Sequence, residues 1–152
     1  AVAGGLGAFL LAAAWSWAGL PQPVKWNWSP SVPTGLYVWV PWAPVAKGAI
    51  VEVSRPPHYP LGWLLKRVVG TGGDSFCWDQ DLGTHRLNGR PMPPPLPYAV
   101  EIMHVPVWKG CEVLAPDEIV GYGDTEDSFD NRYYQPLPRG RIGGVYRLVL
   151  AW

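Results

Sequence analysis

The sequence predicts a mostly β domain that follows an amino-terminal transmembrane helix. The 152 residues include 18 Gly and 18 Pro; since both interrupt helices and mark turns, they favour short strands. Apolar residues make up 48% of the chain and ten residues are Trp. This composition excludes a disordered chain, which has no core in which to bury aromatic side chains. The length suits one folded domain.

The helix is predicted from the start of the chain, where no charged residue precedes Lys25 and residues 1–20 are almost wholly apolar. A 20-residue helix is about 30 Å long, which matches the hydrocarbon thickness of a bilayer. Six of the ten Trp lie within the first 42 residues, and Trp favours the membrane–water interface. We therefore predict a transmembrane anchor at 1–20. A buried core helix and a cleaved secretory signal, with a weak cleavage site at 12–14, are the alternatives.

Strands and turns are predicted along the rest of the chain. A Pro-marked segment at 21–25 reads as a short connector. The dipeptide Asn88-Gly89 is typical of a tight hairpin. Pro-rich loops are expected at 55–60 and 92–97. Strands are predicted at 36–40, 49–53, 62–70, from 75 to at least 78, and 145–150.

Charge and cysteine content restrict the possible partners. Twelve basic and twelve acidic residues give a net charge of zero. The chain therefore lacks the excess of basic residues that is typical of nucleic-acid-binding proteins. Cys77 and Cys111 are too few for a zinc site. If the anchor places the domain outside the cytoplasm, they are expected to form a disulfide; two free buried thiols are the alternative.

Metal and histidine chemistry have little support in the sequence. His58, His85 and His104 lack the neighbours of a catalytic triad and show no metal-ligand spacing. The acidic stretch 124–130 lacks the Gly and the terminal Glu of a calcium-binding loop. We therefore predict neither a metal nor an organic cofactor.

Lys66 is a candidate general base. Strand alternation places it on one face between Leu64 and Val68. An apolar environment disfavours the ammonium form and lowers the pKa of a lysine, which allows it to accept a proton. By itself the pattern is more typical of an edge-strand lysine whose amine reaches water.

The segment 27–37 is a candidate nucleophile loop. It contains two hydroxyls, Ser29 and Ser31, in a chain stiffened by Pro30 and Pro33. Gly35 permits a tight turn into the next strand. A simple Ser/Pro turn is the alternative.

Three motifs together resemble one family. Residues 31–37, SVPTGLY, resemble the nucleophile motif of TraF-type peptidases, which are conjugative-transfer members of the bacterial type I signal peptidase family and use a serine/lysine dyad. Residues 65–70, LKRVVG, followed by Gly73-Asp74, resemble its lysine motif. Gly123-Asp124 and residues 128–134, SFDNRYY, resemble its third motif. The three occur in the family order and the resemblance covers nearly the whole chain.

The resemblance implies antiparallel sheets in a small barrel-like fold, with an anchor at 1–20 and an extracytoplasmic peptidase domain at 25–152. It also assigns roles to individual residues. Ser31 corresponds to the nucleophile, Lys66 to the general base, Ser29 to an oxyanion-hole hydroxyl beside the Ser31 N–H, Ser128 to a serine that orients the lysine, and Asp130 and Arg132 to a supporting ion pair.

The implied function is that of a serine endopeptidase at the bacterial inner membrane, with its catalytic domain on the periplasmic side. Its expected partners are the lipid bilayer and a precursor protein with a signal segment, specifically a pilin precursor of a conjugation or type IV secretion system. The resemblance further implies small residues, of the Ala-x-Ala type, before the cut. A general signal peptidase for secreted proteins and a non-catalytic β-rich membrane-anchored scaffold are the alternatives.

Overall fold

A computed structural model describes residues 15, 19–54, 62–97 and 104–152. These residues form two antiparallel sheets and one short 3₁₀ helix at Arg139–Arg141. The strands are β1 (Val24–Asn27), β2 (Gly35–Trp39), β3 (Ile50–Ser54), β4 (Trp63–Thr71), β5 (Ser75–Asp79), β6 (Thr84–Leu87), β7 (Arg90–Pro91), β8 (Cys111–Val113), β9 (Glu118–Tyr122), β10 (Leu137–Pro138) and β11 (Ile142–Ala151). The prediction of a mostly β, antiparallel domain is confirmed.

The larger sheet has the strand order β1-β2-β11-β3-β4-β9-β10 and is strongly curled. Its curvature is evident from Lys25 on β1, although three strands separate β1 from β4. The Lys25 ammonium lies 3.8 Å from the centre of the Trp63 ring on β4 and 2.9 Å from the Glu52 carboxylate on β3. The face of β1 that carries Lys25 and the face of β4 that carries Trp63 therefore meet across the sheet, which brings the loop after β1 close to β4.

The smaller sheet has the order β7-β6-β5-β8. Its hairpin between β6 and β7 turns at Asn88 and Gly89, with φ of 51° and 79°, as the Asn-Gly dipeptide predicts for a type I′ turn. Cys77 and Cys111 face each other on β5 and β8 and form a disulfide. This bond joins strands 34 residues apart in sequence.

Apolar side chains pack against both faces of the larger sheet, because Val68 and Leu65 belong to different clusters and point to opposite faces of β4. The inward residues of β3, Val51 and Val53, pack with Val68 of β4 in the main core. A second cluster contains Val32, Tyr37, Leu65 and Tyr146 and supports the loop between β1 and β2 from below. Burial of one such side chain stabilises a fold by about 1.5–3 kcal/mol. The burial of Val32 in the second cluster therefore holds the loop between β1 and β2 against the sheet.

Four predicted strands are confirmed with small shifts of their ends: 36–40, 49–53, 62–70 and 145–150 correspond to β2, β3, β4 and β11. The strand expected from residue 75 is β5. The predicted connector at 21–25 is partly wrong, since β1 begins at Val24. The predicted loop at 55–60 lies outside the described residues.

The predicted anchor at 1–20 also lies outside the described residues, apart from Trp15, Gly19 and Leu20. In the part of the chain that the structure describes, no helix is both long enough and apolar enough to cross a membrane.

Candidate active site

Ser31 lies in the serine loop, residues 28–34, which connects β1 to β2. The ends of the loop meet where Asn27 pairs with Gly35. Gly35 is required there because a Cβ atom would lie 2.2 Å from the Leu150 carbonyl oxygen. Ser31 is only 6% exposed. Its Oγ accepts a 3.1 Å hydrogen bond from the Ser29 hydroxyl, while its N–H donates to Ser29 Oγ at 3.3 Å.

Lys66 lies in the middle of β4 with its side chain turned inward and 2% exposed. Its Nζ donates a 2.7 Å hydrogen bond to Ser128 Oγ. Burial lowers the pKa of Lys66 from 10.5 to about 8, although the negative charge of Asp130 partly opposes this effect. Lys66 is therefore an amine that loses its proton near neutral pH, as a general base requires.

The segment 123–132 packs against both residues and is held by a buried ion pair. The Asp130 carboxylate accepts hydrogen bonds from the N–H groups of Gly123 and Arg132, at 2.8 and 3.0 Å. The Arg132 Nε lies 3.4 Å from Asp130 Oδ1, and the guanidinium also donates to the carbonyls of Thr125 and Glu126. Burial raises the pKa of Asp130, while Arg132 acts in the opposite direction. This network fixes the loop that carries Ser128.

A small cavity of about 170 Å³ brings the candidate residues together. It is lined by Ser29, Ser31, Lys66 and Ser128, among others. Gly123 makes this approach possible, because a Cβ atom there would lie 1.9 Å from Ser128 Oγ and 3.1 Å from Ser31 Cβ.

A larger apolar cavity of about 410 Å³ begins on the other side of Ser31. The ends of β1 and β4 form its walls. It is lined chiefly by Trp26, Trp28, Trp63, Leu64 and Leu65, and it shares Ser29 and Ser31 with the smaller cavity. Ser31 is therefore part of the lining of both cavities.

The cavity that Ser31 and Lys66 share lies in a chain whose residues 2–152 match a family model described as "Signal peptidase, peptidase S26". The chain belongs to this signal peptidase family. Two curated relatives are each described as "Plasmid transfer protein TraF" from Escherichia coli. One is 30% identical over 174 aligned residues, covering 99% of this chain and 93% of the relative; the other is 33% identical over 172, covering 98% and 93%. The resemblance to TraF-type members is thereby confirmed, and the chain is a peptidase of the signal peptidase type.

In the structure of this signal peptidase, four of the six residues predicted for catalysis or support line the smaller cavity: Ser29, Ser31, Lys66 and Ser128. The other two, Asp130 and Arg132, do not line it but form the buried ion pair in the segment that carries Ser128. Cys77 and Cys111 lie apart from them in the smaller sheet. Across the described residues, no group of three or more His, Cys, Asp or Glu side chains is arranged to hold a metal ion.

Two features of the signal peptidase site escaped the sequence reasoning. One is Asn27, whose side chain fills the serine loop; an Asn two residues before Ser29 is a recognisable turn signal, because its side chain readily bonds the backbone two residues on. The other is the Arg67–Asp124 ion pair, at 2.7 Å. It joins residues 57 apart in sequence, so no local pattern indicates it.

Proposed function

We propose that this protein is a membrane-anchored serine endopeptidase that removes signal or pro-segments from exported precursors by means of a Ser31/Lys66 dyad. The observation that carries the proposal is the buried Lys66 amine, with a pKa lowered to about 8, in the same cavity as the Ser31 hydroxyl. A Ser128 hydroxyl, rather than a carboxylate, accepts the hydrogen bond of this amine.

In the proposed reaction, neutral Lys66 takes the proton of Ser31 Oγ as this oxygen attacks the scissile carbonyl. The tetrahedral intermediate collapses, the C–N bond breaks, and the Lys66 ammonium protonates the leaving amine. Lys66 then takes a proton from water, which attacks the ester carbonyl. The ester bond breaks, the proton returns to Ser31 Oγ, and the new carboxyl end is released. Ser128 holds Nζ in place through both steps.

The Ser31 N–H and the Ser29 hydroxyl are the proposed oxyanion hole. In the free enzyme the Ser31 N–H donates to Ser29 Oγ, and the Ser29 hydroxyl donates to Ser31 Oγ. Their bonds must therefore turn to the substrate oxygen as it becomes negative. Loss of one such donor raises the barrier by about 2.7–4 kcal/mol in other enzymes.

The apolar groove is the proposed binding site for the segment next to the cut. The expectation of small Ala-x-Ala residues there comes from the family resemblance, while the aromatic lining supports binding of an apolar segment. Trp26, Trp28 and Trp152 stack together beside the groove, with ring centres 4.7–5.7 Å apart. They are 51%, 70% and 47% exposed. Because Trp favours the membrane–water interface, this patch supports a site that works at a bilayer surface.

The proposed location is the bacterial inner membrane, with residues 1–20 as anchor and residues 25–152 on the periplasmic side. The Cys77–Cys111 disulfide supports an oxidising compartment. The relatives described as plasmid transfer proteins support a role in conjugation, and we propose a pilin precursor as substrate.

The test is a cleavage assay with membrane-reconstituted protein, the candidate pilin precursor and a panel of secretory precursors. Ser31→Ala and Lys66→Ala should each abolish cleavage while circular dichroism shows a native fold. Ser75→Ala and Lys47→Ala, which alter the same residue types away from the cavities, should cleave normally. Full activity of either dyad variant would refute the dyad, and no activity of the wild-type protein on any precursor would favour the scaffold. Efficient cleavage of diverse secretory precursors would favour a general signal peptidase.

A further inference from the structure

Asn27, the last residue of β1, makes four hydrogen bonds with the serine loop. Its Nδ2 donates to the carbonyls of Ser29, Val32 and Pro33, at 2.8, 3.3 and 3.2 Å. Its Oδ1 accepts the Ser29 N–H at 3.2 Å. The residue is 5% exposed, so its polar side chain is buried inside the loop.

The loop needs such a filling because of its own sequence. Pro30 and Pro33 have no N–H, so the loop has few backbone donors for its own carbonyls. Buried carbonyls without a partner are costly. A primary amide supplies two N–H donors and one acceptor from a single side chain, and this set fits only one orientation of the amide. The reversed orientation would set Oδ1 against three carbonyl oxygens and Nδ2 against an N–H.

The contacts of Asn27 concentrate on Ser29, whose N–H and carbonyl are both bound to it. With its backbone fixed on both sides, Ser29 directs its hydroxyl toward Ser31 Oγ and accepts the Ser31 N–H. These are the two donors of the proposed oxyanion hole.

We infer that Asn27 is a positioning residue for the cleavage reaction, which holds the Ser29 hydroxyl and the Ser31 N–H in the arrangement that receives the oxyanion. The inference rests on the proposed Ser31/Lys66 function. Asn27 acts through Ser29 and takes no part in proton transfer. A residue that merely stabilised the fold would instead lower the amount of active enzyme and leave the turnover of each folded molecule unchanged.

The experiment is a double-mutant cycle of Asn27→Asp and Ser29→Ala, with kcat and KM measured for each folded molecule. Asp keeps the size of Asn and an acceptor for the Ser29 N–H, but in its ionised form it cannot donate to the three carbonyls. In the wild-type background we expect Asn27→Asp to lower kcat about 10- to 100-fold with little change in KM, since small misplacements of catalytic groups cost rates of this order. In the Ser29→Ala background the same change should lower kcat less than about threefold, because its target is already absent. Independent effects that multiply in the double variant would overturn the inference.

The matched control is Thr84→Val in the smaller sheet. Thr84 is also 5% exposed and donates one partly buried hydrogen bond, to the Met92 carbonyl at 2.7 Å. Its loss should lower stability and leave kcat per folded molecule unchanged. A fall in kcat for Thr84→Val as large as that for Asn27→Asp would show a general effect of destabilisation and overturn the inference.

A measurement on the native enzyme covers the case in which Asn27→Asp does not fold. The Asn27 side-chain amide protons should exchange with solvent on the order of 100-fold more slowly than those of exposed Gln135, because exchange requires opening of the loop. Equal exchange rates would overturn the inference. Ser31→Ala separates this outcome from failure of the proposed function. An inactive Ser31→Ala with a fully active Asn27→Asp refutes only the role of Asn27, whereas an active Ser31→Ala refutes the dyad itself.

Discussion

The pH dependence of cleavage tests the electrostatic state of Lys66. Burial is the main reason that its pKa falls from 10.5 to about 8. At pH 7, a pKa of 8 leaves about 9% of the amine neutral, compared with roughly 0.03% for an ordinary lysine, which is a gain of roughly 300-fold. We expect kcat/KM to rise about tenfold per pH unit below 8 and to level off above it, since kcat/KM follows the ionisation of the free enzyme.

A neighbouring carboxylate provides a further test, because its removal should shift the pKa of Lys66 in a known direction. The exposed Asp127 lines the cavity, and its charge raises the pKa of Lys66 by stabilising the ammonium form. Asp127→Asn should therefore move the midpoint of the pH profile downward and raise the rate at pH 7. Asp117→Asn removes an exposed carboxylate that is not among the causes of the Lys66 shift, so it should leave the midpoint in place.

The assay is steady-state cleavage of a peptide without titratable groups, so that the profile reports the enzyme alone. A flat profile from about pH 6 to about pH 9 would exclude a lysine base with this pKa. A midpoint near 10.5 would show that burial does not act on Lys66 as described. An upward shift for Asp127→Asn would contradict the sign of the interaction.

Three further predictions follow from the same contacts. Ser128→Ala removes the hydroxyl that accepts the 2.7 Å hydrogen bond of Lys66 Nζ. In steady-state kinetics it should lower kcat about 10- to 100-fold with little effect on KM. An unchanged kcat would contradict a role of Ser128 in orienting the amine. Lys66→Met should abolish cleavage yet be more stable than the wild-type protein by about 3 kcal/mol below pH 8, because the native state there carries the cost of charging a buried amine. Between pH 8 and 10.5 the unfolded wild-type chain binds more protons than the native state, so the stability advantage of Lys66→Met should shrink as the pH rises through that window. Urea unfolding measures this difference, and an advantage that grows with pH would refute the prediction. Replacement of Cys77 and Cys111 by Ser removes a disulfide between residues 34 apart in sequence. In the chain-entropy model this should lower the free energy of unfolding by about 4 kcal/mol and leave kcat per folded molecule unchanged. Equal urea midpoints of the variant and the wild-type protein would contradict this prediction.

The strand that carries Lys66 could be predicted because the pattern that indicates it lies within the strand's own sequence. Leu64 and Val68 alternate with the lysine on one face of β4, and the structure packs both against the main core. The same alternation predicts poor solvation of Lys66, and the structure agrees with it. Periodicity was sufficient here because the residues that desolvate the amine are two positions away.

β1 was missed because its pattern is inverted. Its exposed positions are apolar Val24 and Trp26, while its buried positions are polar Lys25 and Asn27. Lys25 has a partner distant from β1, the Glu52 carboxylate, which cannot be read from the sequence of β1, whereas Asn27 bonds the loop that directly follows β1. The position of Ser128, 62 residues after Lys66, likewise followed from family resemblance and from no pattern in the chain.

The two fully buried lysines differ in the chemistry of their partners, and this difference separates a base from a structural cation. Both are 2% exposed. Lys25 forms a salt bridge with the Glu52 carboxylate at 2.9 Å and a cation–π contact with the face of Trp63. Lys66 contacts a neutral hydroxyl at 2.7 Å, which can accept from either form of the amine and does not favour the charge.

The backbone segments that carry the proposed dyad are linked by contacts that do not involve the Lys66 amine. Arg67, the neighbour of Lys66, forms a two-fold hydrogen bond with the Asp124 carboxylate. The N–H of Asp124 in turn donates to the Ser31 carbonyl at 2.6 Å. The backbone that carries the base is thus linked to the nucleophile through residues on the other face of β4. Because this link places the Asp124 carboxylate in the hydrogen bonds of Arg67, Asp124 raises the pKa of Lys66 only through its charge at a distance and not through a direct contact that would keep the amine protonated.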